Sequence, residues 1–184
     1  MHLELNRNNA GPKHVSGKFG VSKLGIAQVI NEQGQMGTVF FYHLTQSPLD
    51  VTLRMLIGKA RSAGWRCYIK VPHEDALRQL DVALWKGEPT AFSAHNIVSE
   101  DGNSSILLGL ENDQQGYECL FSAMGAEFPI DAIKVADRVC VLFDGHDQGA
   151  VEAARNQWKT MTGAGVSAQY WAQDDGRWVK KAEA

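Results

Sequence analysis

The sequence predicts an α/β chain with a Rossmann-like three-layer fold, in which a mostly parallel twisted sheet lies between helices and a β-hairpin closes the C-terminus. Three observations carry that expectation. From Met36 onward, short β-type runs alternate with amphipathic helical stretches. The connections are short, and parallel strands joined through helices require right-handed crossovers that place helices on both faces. The chain ends on two aromatic strand-like runs, Tyr170-Trp171 and Arg177-Trp178-Val179, joined by the turn residues Asp174-Asp175-Gly176.

The elements follow in order. Residues 1–35 are rich in Asn, Gly, Lys and Gln, show only a weak helical pattern over Lys23 to Ile30, and are expected to carry little structure. Met36 directly precedes the first strand and is read as the native start, a genuine extension with a docking helix being the alternative. Residues 36–184 are then a single α/β domain. Thr38 to Leu44 alternates as a strand. Pro48 opens a helix to about Ala63 with Leu49, Leu53, Leu56 and Ile57 on one stripe, and Gly64 falls just after its C-cap. Trp65 to Val71 is the second strand, stopped by Pro72. His73 to Trp85 is a second amphipathic helix that turns Leu77, Leu80 and Leu84 to the core before the Gly87-Glu88-Pro89 break. Further strands are expected at Ile106 to Leu110, Glu118 to Ser122 and Arg138 to Phe143, and a last helix from about Asp147 to Thr162.

A chain of 184 residues, 44% hydrophobic and 21% charged, has the balance of one globular domain with a real core. Its net charge of -3 argues against a protein that coats nucleic acid by itself, because phosphate binding needs a basic surface. Contact with DNA is therefore expected to be indirect, through a protein partner. Apolar runs such as Val139 to Phe143 are far too short to span a bilayer and no signal-type segment is present, so no membrane contact and a cytoplasmic location are expected. Cys67, Cys119 and Cys140 are odd in number and lack ligand spacing, which reads as reduced core thiols.

Cofactor chemistry finds little support. The turn after the first strand, Leu44-Thr45-Gln46-Ser47-Pro48, has no glycine to let backbone approach a pyrophosphate, and no GxxxxGK[ST] loop occurs. The strongest acid/base or metal candidate is Asp144, His146 and Asp147, at a strand's carboxyl end. The same residues make a tight turn followed by an N-cap, and this is favoured because His43, His73 and His95 supply no ligand spacing. No catalytic residue, metal or cofactor is expected. A small nucleotide-dependent or hydrolytic α/β enzyme using Asp144, His146 and Asp147 stays as the alternative function.

A binding surface has a clearer pattern. Arg155, Trp158 and Lys159 stand at i, i+3 and i+4, so a helix puts an aromatic between two cations on one face. That face suits an acidic peptide ending in an apolar residue and a free carboxylate. In the competing reading, Trp158 packs under the terminal hairpin while both cations stay solvated. Trp85 and Phe92 flank the Gly87-Glu88-Pro89 loop and are either core or the aromatic anchors of a second interface. Phe92, between Thr90 and Ser93 on either side, is the harder of the two to bury.

These landmarks share their order and spacing with a known family. Phe40-Tyr42-Leu44, then Leu80-Asp81-Val82-Ala83-Leu84-Trp85 with Phe92 and His95-Asn96, then Val141-Leu142-Phe143-Asp144 through Ala154-Arg155 to Trp158-Lys159 and Tyr170-Trp171 resemble the chi subunit of bacterial DNA polymerase III over about Met36 to Lys181. No one motif is specific; together they are. The resemblance implies a non-catalytic holoenzyme subunit with a nucleotide-binding-like fold and no nucleotide site. It implies two partners, the acidic, Phe-terminated tail of single-stranded-DNA-binding protein on Arg155, Trp158 and Lys159, and the psi subunit or a helicase-like substitute at Trp85 and Phe92. This chain departs from the family where a further basic residue often stands one helical turn before Arg155: here the position is Val151, and Asn156 and Gln157 also lack charge.

Overall fold

The computed structural model describes residues 37–86, 95–97, 104–112 and 114–184. In chain order these form β1 (Thr38–Leu44), α1 (Leu49–Ser62), β2 (Cys67–Lys70), α2 (Glu74–Trp85), β3 (Asn96–Ile97), β4 (Ile106–Gly109), β5 (Cys119–Ala123), α3 (Ile130–Val135), β6 (Arg138–Asp144), α4 (Gln148–Gly163), β7 (Ser167–Asp174) and β8 (Arg177–Glu183). The strands make one sheet of order β3-β4-β2-β5-β6-β1-β7-β8. Every neighbouring pair is parallel except the β7–β8 hairpin. This is the expected Rossmann-like α/β fold.

Alternation along each strand divides the core between the two faces of the sheet. Tyr42, Ile69, Phe121, Cys140 and Leu142 face α1 and α2, packing with Leu53, Ile57, Leu80 and Leu84. Val39, Phe41, Leu120, Val141 and Phe143 face α3 and α4, packing with Ile133, Ala154 and Met161. Full burial of a side chain such as Leu53 contributes roughly 2 kcal/mol. Arg54 ties α1 to α2, its guanidinium donating to Asp50 at 2.6 Å on its own helix and to the Ala83 carbonyl at 2.8 Å. The thiols of Cys67, Cys119 and Cys140 are all buried and free. Burial, reinforced by contact with Cys140 and Cys67, pushes the Cys119 thiol well above its usual pKa, which keeps it protonated and inert.

The structure adjusts several boundaries. β2 begins at Cys67 rather than Trp65, because α1 ends in a Schellman motif that uses the Trp65 N–H on the Ala60 carbonyl and the Gly64 N–H on Arg61, with Gly64 at φ +81°. The Arg66 N–H is likewise taken, by the Glu118 carboxylate at 2.7 Å. The hairpin is longer than the aromatic runs alone suggested, since β7 pairs in parallel with β1 from Thr38 to His43. Two elements were not expected. α3 is too short to show a helical period, and β3 is a two-residue edge pairing. Residues 1–35 and Phe92 lie outside the described residues.

One side chain locks the hairpin to the rest of the sheet. The Gln173 Oε1 accepts three successive backbone N–H groups, from Thr45 at 3.1 Å, Gln46 at 2.9 Å and Ser47 at 3.0 Å, while its amide donates to the Ser47 hydroxyl at 2.7 Å. Gln46 answers by accepting the Gly176 N–H at 2.9 Å. The α1 N-cap, Pro48, supplies no capping side chain of its own. Gln173 therefore organises the turn entering α1 from 126 or more residues away in sequence.

Because these groups are only partly buried and water competes for them, Gln173→Ala is expected to destabilise the fold by about 1–2 kcal/mol. Gln173→Glu retains an acceptor for the three N–H groups and should cost less in the same chemical-denaturation experiment. Equal losses for the two variants would mean that the N–H cluster contributes nothing.

Candidate functional site

Helix α4 starts where β6 ends. Asp144 accepts the His146 N–H at 2.8 Å to close the turn, and Asp147 caps the helix by accepting the Gly149 and Ala150 N–H groups at 2.8 and 3.2 Å. Ala154 and Met161 hold the helix on the sheet, its neighbours there being β6 and β7. That rotation leaves Arg155 and Lys159 exposed and Trp158 half-buried.

Arg155, Trp158 and Lys159 do converge, together with residues that sequence reasoning did not assign to them. They line a groove of about 380 Å³ with Val151 and Ala154 from α4, Phe41 and Phe143 from the sheet, and Tyr170 and Ala182 from the hairpin. Trp158 stands edge-on to Phe41 at 5.3 Å between ring centroids and to Tyr170 at 6.5 Å. Its ring is thus both core packing and groove wall, so the two readings of Trp158 describe parts of one arrangement. Neither Arg155 nor Lys159 forms an ion pair among the described residues. Val151 adds apolar lining. The β1–β7 register sets Tyr170 beside Phe41. No local signal could have announced that neighbour.

The Tyr170 hydroxyl and His43 Nδ1 share a hydrogen bond at 2.6 Å, and the imidazole stacks on Phe143 at 5.1 Å. Burial raises the Tyr170 pKa against an opposing pull from the Arg155 charge, so the phenol stays protonated near neutral pH.

Asp144, His146 and Asp147 do not converge on a common point. The two carboxylates serve the turn and cap just described, and His146 Nε2 lies 3.0 Å from the Thr45 carbonyl, to which only an N–H can donate. A larger concavity of about 680 Å³ opens at the carboxyl ends of β5 and β6, where an open α/β sheet would bind a nucleotide. Its charged lining is Asp50, Asp144 and Asp147, the first already paired with Arg54. A phosphate entering it would meet carboxylates. The backbone N–H groups after β1, which such a fold offers to phosphates, are held by Gln173.

Trp85 lies on the surface, 47% exposed. Its indole donates to Asp81 at 2.9 Å, and its ring lies against the buried His95, which meets the same carboxylate at 2.9 Å. The orientation of the ring is thus fixed by its own neighbours. Among the described residues no helix is long and apolar enough to cross a membrane.

The family profile described as DNA polymerase III chi subunit, HolC, matches residues 36–169. No curated protein matches the chain.

Two outcomes follow from the use of the β6–α4 turn as structure. Asp147→Ala should lower stability by about 1 kcal/mol through loss of the cap. Calorimetric titration with ATP, GTP or NAD should give no saturable heat; saturable binding abolished by Asp144→Ala in a folded protein would establish a nucleotide site there.

Proposed function

The chain belongs to the DNA polymerase III chi subunit family, and from that premise we propose that it is a non-catalytic accessory subunit of the holoenzyme that tethers the clamp loader to single-stranded-DNA-binding protein. The groove of Arg155, Trp158 and Lys159 holds that protein's acidic, Phe-terminated tail. The observation that carries the reading is the groove itself: two exposed cations without ion-pair partners among the described residues bracket an aromatic wall, on a chain whose net charge is -3. The Arg155 guanidinium forks onto the terminal carboxylate, the terminal ring enters the apolar space beside Trp158, and Lys159 offers charge to upstream aspartates. DNA is reached only through this partner.

Trp85 supports a second contact. An exposed, pre-oriented indole is an economical anchor, since its rotamer is fixed before binding. Trp85 is the anchor for the psi subunit or a helicase-like equivalent, and Phe92, the other aromatic assigned to that interface from the sequence, lies outside the described residues.

Titration of the tail peptide tests the first surface. Arg155→Ala should weaken binding more than Lys159→Ala, because only a guanidinium pairs bidentately with a carboxylate. Affinity should fall as salt rises. A peptide lacking its final Phe should bind far more weakly; equal binding by the intact and truncated peptides would place the tail elsewhere.

Trp85→Ala tests the second surface. It should leave stability within about 1 kcal/mol, as expected of an exposed side chain, while weakening the complex with the psi subunit by roughly 2 kcal/mol. An unchanged complex would remove Trp85 from the interface.

A further inference from the structure

The His43–Tyr170 pair joins a residue of the groove wall to a histidine that has no part in the three residues already assigned. Its 2.6 Å separation fixes a hydrogen bond but not its direction. The other ring nitrogen decides that. His43 Nε2 is buried and has no hydrogen-bond partner among the described residues. A Cβ at Gly145 would stand 2.1 Å from it and 2.4 Å from Cδ2, so this edge of the ring fits only against glycine. With no acceptor in reach, a bare lone pair there is favoured over an N–H, since buried donors left without acceptors are rarer than under-used acceptors. The neutral imidazole therefore carries its proton on Nδ1, which donates to the Tyr170 oxygen.

A phenol oxygen that accepts from His43 keeps its own O–H for another partner. Tyr170 lines the groove with Arg155 and Lys159, and no other acceptor for its hydroxyl lies within hydrogen-bond distance among the described residues. We propose that Tyr170, oriented by His43, is a further specificity-determining residue of the groove, its hydroxyl donating to the ligand carboxylate that Arg155 pairs with. The inference rests on the groove being the acidic-tail site. It gives the carboxylate a neutral, directional donor beside a charged one, and so distinguishes a terminal carboxylate from diffuse negative charge. Gly145 is then required for function as well as for the turn, because any side chain would displace the imidazole that aims the phenol.

Two measurements on the full chain test this. The nitrogen chemical shifts of the His43 imidazole should report a protonated Nδ1 and a bare Nε2; the reverse tautomer overturns the proposal whatever the ligand. Binding is read with an acidic peptide ending in Phe, prepared with a free terminal carboxylate and as the terminal amide. Tyr170→Phe keeps the ring and its edge contact with Trp158, and should weaken the free-acid peptide about tenfold while leaving the amide peptide's affinity nearly unchanged. If Tyr170→Phe binds the free acid as tightly as the parent while Arg155→Ala does not, Tyr170 is no ligand and the tail site stands. If the parent binds neither peptide, the tail site falls and this role with it.

Discussion

Strand β1 is paired along its length to β6 on one side and along six of its residues to β7 on the other, and the groove beside α4 depends on that double register. Parallel pairing with β6 aligns His43 with Phe143, so the imidazole stacks on a fixed ring. Pairing with β7 aligns Phe41 with Tyr170. A slip of one residue on either side would send these side chains to the opposite face of the sheet, and α4 would then pack over a different set of rings. The Gln173 amide, gripping the turn after β1, pins the hairpin at the end of this register.

Helix α4 divides the surface into two electrostatic environments. At its N-terminal end Asp144 and Asp147 border the large concavity, where the helix dipole favours negative charge and the carboxylates satisfy backbone donors. Farther along, Arg155 and Lys159 flank the smaller groove. The first environment is acidic and the second basic. A Rossmann-like sheet normally uses the carboxyl ends of its strands for ligands; here carboxylates and the Gln173 amide occupy that position, and the groove of Arg155 and Lys159 lies on the flank of α4.

Trp158 is shared between the core and the groove wall. Half of the ring is spent on Phe41 and Tyr170, which hold it in one rotamer, and the cations on either side keep the remainder wetted. A ring already immobilised loses little conformational entropy on binding. Trp85 follows the same logic with different means, its indole held by Asp81 and braced by His95.

The sequence by itself determined the order of every element except α3 and β3, the parallel α/β class with its terminal hairpin, the helix caps at Gly64 and Asp147, and the convergence of Arg155, Trp158 and Lys159, because each of these rests on local periodicity or on neighbours within a helical turn. It also marked Trp85, without deciding whether the ring was buried. Only the tertiary structure decided that Trp85 is exposed, that Tyr170, Phe41 and Phe143 complete the groove, that the Tyr170 hydroxyl meets His43, and that Gln173 fills the turn after β1. The last three join residues across the sheet, more than a hundred positions apart for Gln173 with Ser47 and Tyr170 with His43. Strand order and register set those distances, and they arise from packing the whole chain rather than from any segment of it.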